Sequence, residues 1–340
     1  MSITEFGIIQ KYFSNSEQAG SRPEVLLGPG DDCAALQLAA GKTLCMSMDV
    51  LNEAVHFPSN ANPALLAQRA LSVNLSDLAA MGAEPLCFTL GISLPEIDEQ
   101  WLAEFSSGLA QTAARYNCPL VGGDTTRGSL SIAIQVQGQV DHDTMIRRDG
   151  AHAGDLICVT GSLGNGSIAL ATMGEAVHFD AQLHKQLPNL STDAQKYFEQ
   201  CFYAPEPRVQ FARRAAALVT SAIDISDGLA GDLGHILANS KVGASINLAS
   251  LPYDSHVIEI TTSAQRQHAA LYGGDDYELC LTVPPENFSA LAELAQRAEL
   301  ALTVIGEIEA QAGLRQSGGN SGEAELELAS FTHFQAGTQQ

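Results

Sequence analysis

Short apolar segments that end at an acidic or glycine-rich turn recur along the chain, and several lead straight into a helical pattern. "AIDISDGLAGD" (222–232) is one example and "DLICVTGSLGNG" (155–166) is another. An apolar strand followed by a turn and a helix is a unit from which mixed sheet-and-helix domains are built. Since the same mixture occurs in both halves, the sequence predicts an α/β or α+β fold.

The chain is long enough for two such domains. It has 340 residues, which exceeds the usual size of a domain with one core. The strand-and-helix pattern restarts after Arg147 and Arg148. We therefore place the domain boundary near 142–152, with an N-terminal domain over 1–145 and a C-terminal domain over 146–340.

The charge balance argues against some classes of partner. Lys and Arg number 17 against 39 Asp and Glu, for a formal net charge of -22. Nucleic acids and anionic membranes are bound by basic surfaces, so we expect neither as a partner. No stretch approaches the roughly 18 apolar residues of a membrane-spanning helix.

Cysteine usage and the first residues bear on the compartment. Seven cysteines are scattered without a C-x-x-C pair, which fits reduced thiols. The opening "MSITEFGIIQKYF" lacks the basic start, apolar core and cleavage site of a signal peptide. We therefore expect a cytoplasmic protein.

Aspartates stand at strand ends, in glycine turns and late in one helix. Turns and helix N-caps account for many aspartates in proteins. Asp77 is different, because it lies near the end of an apolar helix, where the helix dipole disfavours a negative charge. Asp49 ends an apolar strand. Both positions indicate a cation, since a buried carboxylate is costly unless it is paired.

The ligand types favour a hard cation. The nine histidines show no zinc-like spacing and no cysteine cluster accompanies them. Oxygen ligands suit Mg²⁺, Mn²⁺ or Ca²⁺, and the regular calcium loop is absent. Several aspartates beside glycine-rich turns fit Mg²⁺ held for phosphate chemistry.

The glycine turn "TGSLGNGSIAL" has two interpretations. It follows a strand and opens a helix, as a dinucleotide-binding turn does, which leaves an NAD(P)-dependent oxidoreductase as an alternative function. Its glycines run G-x-x-G-x-G and not G-x-G-x-x-G. A tight strand-to-helix turn is the other interpretation.

Eight segments, in order from residue 28 to residue 280, contain these aspartates and glycine turns. They are "GPGDDCAAL", "MSMDVLNEAVHF", "NLSDLAAMGAEP", "VGGDTTRG", "RRDGAHAGD", "VTGSLGNGSIAL", "AIDISDGLAGDLGHI" and "YGGDDYELC". In this order they resemble the thiamine-monophosphate kinase family, of the superfamily that includes aminoimidazole ribonucleotide synthetase and selenophosphate synthetase.

The resemblance implies a two-domain aminoimidazole ribonucleotide synthetase-like fold. In that fold an N-terminal sheet domain dimerises and a C-terminal α/β domain closes over the nucleotide. The implied reaction is ATP-dependent phosphorylation of thiamine monophosphate to thiamine diphosphate by a homodimer. The resemblance also implies several bound Mg²⁺ ions, and their implied ligands are Asp32, Ser47, Met48, Asp49, Asp77, Asp124, Asp224 and Asp227. The implied ATP contacts are Gly123, Asp124, Arg148 and Ser226, and the implied substrate contacts are His56, Asp275 and Phe331.

The sequence departs from the family pattern at two of these positions. Met48 stands where the family commonly has Thr, so a metal contact there has to come from the backbone carbonyl. Asp275 replaces the usual Glu and is one methylene shorter, so its substrate contact is expected to be longer or water-mediated. Phe331 lies in a loosely matched tail, and a core aromatic is the alternative to ring stacking.

The implied reaction predicts that no side chain acts as a general base and that no phospho-enzyme forms. A phosphate monoester has a second pKa of about 6 and is already an anionic nucleophile at neutral pH. The difficulty is repulsion between two anions, about 4 kcal/mol per unit-charge pair at 4 Å and an effective dielectric of 20. Bound Mg²⁺ would offset this repulsion.

Two further alternatives remain open from the sequence. One is another ATP-dependent synthetase of the same superfamily that acts on a different phosphorylated substrate. The other is a non-enzymatic acidic module that binds Mg²⁺ or Ca²⁺ without transferring any group.

Overall fold

The chain folds into two compact units, each with its own sheet. The computed structural model describes residues 5–13, 22–29, 32–173, 185, 187, 190–317 and 324–328. Of these, the first unit holds the residues up to Met145, together with Met173 and Tyr203–Ala216, and the second unit holds the others. The boundary drawn from the sequence assigns Tyr203–Ala216 to the C-terminal domain.

The described part of the first unit contains six strands. They are β1 (Val25–Leu27), β2 (Ala35–Leu36), β3 (Lys42–Asn52), β4 (Glu84–Leu94), β5 (Leu120–Arg127) and β6 (Ser131–Asp141). Four form a sheet in the order β3–β6–β4–β5, and β1 and β2 form a separate antiparallel ribbon. Within the sheet, β3 with β6 and β6 with β4 are antiparallel, whereas β4 and β5 are parallel.

Three helices of the first unit precede residue 120 in the described ranges. They are α1 (Glu5–Ile8), which continues as a π-helix over Ile9–Phe13, α2 (Pro63–Ala80) and α3 (Glu99–Arg115). The bounds of α2 follow from its sequence, because the Asn62 side chain caps the first turn and Pro63 suits the first helical position. Gly82, at φ 65°, follows its end. Helix α2 packs against β3, β6 and α3.

Strand β3 lies at the edge of its sheet and has an exposed apolar face, although its sequence indicates a buried strand. Ser47 and Asp49 face helix α2, and the alternate side chains point the other way. We call these alternate residues the β3 stripe. They are Leu44, Met46, Met48 and Val50, which are 40, 61, 54 and 42% exposed. The apolar pattern alone does not reveal whether a strand is covered by its own chain.

The second unit is built on a seven-stranded sheet. Its strands are β7 (Leu156–Thr160), β8 (Ser221–Asp224), β9 (Gly243–Asn247), β10 (Leu279–Val283), β11 (Leu302–Glu309), β12 (Gly313–Ser317) and β13 (Ala324–Glu325). They lie in the order β13–β12–β9–β11–β7–β10–β8. All neighbours are antiparallel except β9 and β12. A largely antiparallel sheet with helices is the α+β form of the predicted class.

Seven more helices follow among the residues that the structure describes. They are α4 (Asn165–Met173), α5 (Thr192–Tyr203), α6 (Val209–Ala215), α7 (Leu229–Ser240), α8 (Ser255–Ile260), α9 (Ser263–Tyr272) and α10 (Pro285–Arg297), of which α6 belongs to the first unit. In the second unit, α7 buries Leu233 and Ile236 in one core with Ile223 of β8 and Val159 of β7. None of the helices in the described part of the chain has the length and apolar character of a membrane span.

Candidate active site

Strand β3 and helix α2 hold one group of the predicted residues in the first unit. Ser47 Oγ donates to Asp77 Oδ2 at 2.5 Å. The Asp49 N–H donates to Asn74 Oδ1 at 3.0 Å, and Asn74 is fully buried. Asn74 and Asp77 are three residues apart and share one helix face. Regular secondary structure therefore places two carboxylates and a hydroxyl beside each other.

A second group in the first unit surrounds a cavity of about 600 Å³. Asp32 and Asp124 both line it, together with Gly122 and Gly123. A Cβ at Gly123 would lie 1.9 Å from the carbonyl oxygen of Leu90, so the parallel pairing of β5 with β4 requires glycine here. The structure thus brings Asp32, Gly123 and Asp124 to one concave surface.

His56 and Met48 lie elsewhere on or beside strand β3. The Asn52 N–H donates to His56 Nδ1 at 2.9 Å, so a neutral His56 carries its proton on Nε2. This places a donor in the turn that follows β3. The Met48 side chain belongs to the β3 stripe and points away from Ser47 and Asp49.

In the second unit, the segment after β8 carries Asp224, Ser226 and Asp227. Asp224 ends β8 and is buried. The Ser226 and Asp227 N–H groups both donate to Asp232 Oδ2 at 3.0 Å. Burial raises the pKa of Asp232 to about 7, and the nearby Arg148 charge opposes that rise. Asp232 therefore has a structural role, since its side chain on helix α7 accepts the backbone N–H groups of this segment.

Arg148 is exposed at the start of the second unit. Its carbonyl oxygen accepts a hydrogen bond from Ser240 Oγ at 3.0 Å, and its charge acts on Asp232. The neighbouring Arg147 pairs with Asp149 at 2.6 Å. Of the two arginines, Arg148 is thus the one associated with the Ser226–Asp227 segment.

Phe331 lies outside the described residues.

The loop before β10 lies against the same segment. The Asp275 N–H donates to the Ser226 carbonyl, and the Tyr277 N–H donates to the Ile225 carbonyl, both at 2.8 Å. Tyr277 Oη donates to Asp275 Oδ1 at 3.1 Å. The structure therefore brings Asp275 beside Ser226, as a shared site requires.

Asp276 binds the backbone amides of the glycine turn that follows β7. Its carboxylate accepts from the Gly164 N–H at 2.7 Å and from the Gly166 N–H at 3.1 Å. Burial raises the pKa of Asp276 to about 8, although these two donors favour its charged form. The amides that a dinucleotide pyrophosphate would use at such a turn are already bonded, which argues against the oxidoreductase alternative.

Comparison with known proteins identifies the family. Two family models match the chain. The model of the AIR synthase related protein N-terminal domain matches residues 30–140, and the model of the C-terminal domain matches residues 152–317. The thiamine-monophosphate kinase of Escherichia coli (strain K12) is 41% identical over 310 residues, which cover 91% of this chain and 92% of the relative. The chain belongs to the thiamine-monophosphate kinases of the AIR synthase related family. The predicted family and fold class are confirmed.

Solved structures of this family have the same fold. The thiamine-monophosphate kinase from Stenotrophomonas maltophilia K279a is similar with a TM-score of 0.82 at 38% identity, covering 94% of this chain and 98% of that one. AaThiL complexed with AMPPCP and TMP is similar with a TM-score of 0.73 at 26% identity, covering 88% and 89%. The family resemblance therefore extends over both halves of the chain.

Among the described residues, no three His, Cys, Asp or Glu side chains come together as a group that could hold a metal ion. Mg²⁺ commonly keeps several waters and is bound through one or two carboxylates plus substrate phosphates. Carboxylate and hydroxyl oxygens such as those of Ser47 and Asp77 fit this mode of binding.

Sequence reasoning missed two residues of the second unit. Asp276 and Tyr277 were not singled out, although they follow Asp275 directly. The available signal was the "GGDDYE" run itself, which places a second carboxylate and a phenol next to a candidate substrate contact. The partners of the Asp276 carboxylate, Gly164 and Gly166, lie more than a hundred residues away, which no local pattern reveals.

Proposed function

We propose that the protein transfers the γ-phosphoryl group of ATP to the phosphate of thiamine monophosphate and so makes thiamine diphosphate. The observation that carries this proposal is the family match, which covers 91% of the chain at 41% identity to a thiamine-monophosphate kinase. Structural similarity to AaThiL complexed with AMPPCP and TMP supports the same donor and acceptor. ATP and thiamine monophosphate are thus the proposed substrates.

The chain's own task in this reaction is to position two anions. The acceptor phosphate is already ionised near neutral pH, so no side chain has to remove a proton and no phospho-enzyme is required. Gly123, Arg148 and Ser226 are the proposed ATP contacts. Arg148 supports a bidentate contact to phosphate, because its guanidinium is exposed and planar. In-line positioning of this kind accounts for much of the catalysis by phosphoryl-transfer enzymes.

The proposed cofactor is Mg²⁺, carried with the phosphates. It would neutralise the repulsion between acceptor and triphosphate. The proposed ligands are Asp32, Ser47, Asp49, Asp77, Asp124, Asp224 and Asp227, with the Met48 carbonyl. Two features support these ligands. All of the ligand atoms are oxygens, which Mg²⁺ prefers, and Ser47 and Asp77 already lie beside each other.

The proposed contacts to the organic part of the substrate are His56, Asp275 and Phe331. His56 offers an Nε2 proton because its Nδ1 accepts from Asn52. Asp275 offers a carboxylate of the sign that suits the positively charged thiazolium ring and the amino group of thiamine. The contact of Asp275 is proposed to be direct or water-mediated, since its side chain is short.

A homodimer formed through the first unit is the proposed assembly. Its support is the β3 stripe, a row of four exposed apolar side chains on an edge strand. Such a row is usually covered by a partner in native proteins. The compartment proposed for the reaction is the cytoplasm, with support from seven cysteines that are all free thiols.

The test is a direct assay of the purified protein with Mg-ATP and thiamine monophosphate. We expect one equivalent each of thiamine diphosphate and ADP, measured by mass spectrometry. Thiamine, thiamine diphosphate and aminoimidazole-type phosphorylated precursors serve as alternative acceptors in parallel reactions. ATP consumption with another acceptor and none with thiamine monophosphate would refute the proposal in favour of a different synthetase.

A further inference from the structure

The segment from Gly274 to Tyr277 has an unusual backbone. Gly274, Asp275 and Tyr277 have φ values of 69, 62 and 51°, in the left-handed region. Non-glycine residues adopt this region rarely and only where their surroundings enforce it. A Cβ at Gly274 would lie 2.4 Å from the Ser226 carbonyl oxygen, so the segment is packed tightly against the Ser226–Asp227 turn.

Hydrogen bonds fix this backbone on two sides. The Asp275 and Tyr277 N–H groups donate to the carbonyls of Ser226 and Ile225. On the other side, the Asp276 carboxylate accepts from two amides of the glycine turn. Alternate residues of the segment are therefore tied to different loops, and the backbone of Asp275 is held in place before any ligand binds.

The side chain of Asp275 is held by its own segment. Tyr277 Oη donates to Asp275 Oδ1 at 3.1 Å, and both residues are half-buried. An aspartate has one rotatable bond before its carboxylate carbon and a short reach, so fixing Oδ1 sets the direction of Oδ2.

We propose that Tyr277 is a positioning residue that orients the Asp275 carboxylate towards the organic, cationic part of the phosphoryl acceptor. This inference rests on the proposed function and explains how the substrate contact of Asp275 is oriented. Tyr277 acts through Asp275 and touches neither phosphate. Loss of its hydroxyl should therefore weaken recognition of thiamine monophosphate and leave recognition of ATP intact.

The experiment compares steady-state kinetics of Tyr277→Phe, Asp275→Asn and the double variant. Tyr277→Phe should raise the KM for thiamine monophosphate about tenfold and leave the KM for ATP within about twofold. In the Asp275→Asn background, Tyr277→Phe should have no further effect on either KM, because the carboxylate charge that Tyr277 orients is gone. A KM does not depend on the fraction of folded enzyme, so partial unfolding leaves this comparison valid.

Tyr253→Phe is the matched control. Tyr253 lies in the same unit, and its buried hydroxyl has no hydrogen-bond partner among the described residues. Removing that hydroxyl should leave both KM values unchanged. The inference is overturned if Tyr277→Phe keeps the wild-type KM for thiamine monophosphate, raises both KM values alike, or acts fully in the Asp275→Asn background. Absence of thiamine diphosphate with the wild-type protein would instead refute the proposed function.

Discussion

In the first unit most of the candidate residues stand on regular elements, whereas in the second unit most of them stand on loops. Ser47, Asp49 and Asp77 project from strand β3 and helix α2, and side chains make the bonds between those elements. Asp227 and Asp275 lie on loops that are joined by backbone hydrogen bonds. The two units therefore place acidic groups by different physical means.

The difference predicts which residues can be changed without disturbing the fold. A strand and a helix keep their shape through their own backbone bonds, so a first-unit carboxylate can be neutralised with little effect on stability. In the second unit, the loops depend on the buried or half-buried carboxylates of Asp232 and Asp276, which accept backbone N–H groups. Removing one of these carboxylates should cost stability first and activity as a consequence.

The largest expected effect tests the first unit. Asp49→Asn and Asp124→Asn should each lower kcat about 1,000-fold, because a lost metal ligand removes several kcal/mol of transition-state stabilisation. The melting temperature should change by no more than about 2 °C, since both side chains stand on strands. Asp143→Asn, at an exposed acid of the same unit, is the control. Near-normal turnover of either variant at moderate Mg²⁺ would refute the metal assignment.

The second prediction tests the loops of the second unit. Asp276→Ala should lower the free energy of unfolding by about 2 kcal/mol, because the Gly164 and Gly166 N–H groups lose their acceptor. Ser47→Ala, which removes one side-chain bond in the first unit, should cost less than about 1 kcal/mol. Urea unfolding followed by circular dichroism measures both. Equal losses would mean that the two units do not differ in the way described.

The third prediction concerns the exposed face of β3. The double variant Leu44→Asp and Met46→Asp should weaken self-association about 100-fold or more, since charges would be buried in an apolar contact. Sedimentation velocity over a concentration series measures this change. Ile258→Asp alters an exposed apolar residue of the second unit and should leave association unchanged. A wild-type protein that stays monomeric at micromolar concentration would contradict the proposed dimer.

The sequence is most informative where an element is set by its own residues. Helix α2 could be predicted because Asn62, Pro63 and Gly82 act locally. The sequence also places Asp77 near the end of this helix with Asn74 on the same face. In the structure both residues contact strand β3 from that face. Two strand-to-helix turns and the two-domain fold class also follow from short patterns.

The sequence is least informative where bonds join distant segments. The Asp276 carboxylate bonds amides that lie more than a hundred residues earlier, and left-handed φ values at Asp275 and Tyr277 have no signature such as a glycine. The exposure of Met46 could not be predicted either, because the apolar pattern of a strand is the same whether or not another element covers that strand.

The smallest expected effect is a pH dependence that belongs to the second unit. Burial raises the pKa of Asp276 to about 8 in the folded state, whereas an unfolded aspartate has a pKa of about 3.9. Between these values the folded state binds a proton that the unfolded state has released. The stability contribution is therefore fully present below about pH 4 and is lost as the pH rises towards 8.

Asp276→Asn should remove this dependence, so its unfolding free energy should fall less than that of the wild type between pH 5 and pH 8. Asp232, whose pKa of about 7 acts in the same direction, is present in both proteins and cancels in the difference. Asp193→Asn, at an exposed acid of the same unit, controls for the loss of one charge. If the Asp276→Asn curve runs parallel to the wild type, the Asp276 carboxyl titrates normally. The glycine turn would then be held by an ionised carboxylate at every pH that the enzyme experiences, and this turn would be as insensitive to pH as a strand or a helix.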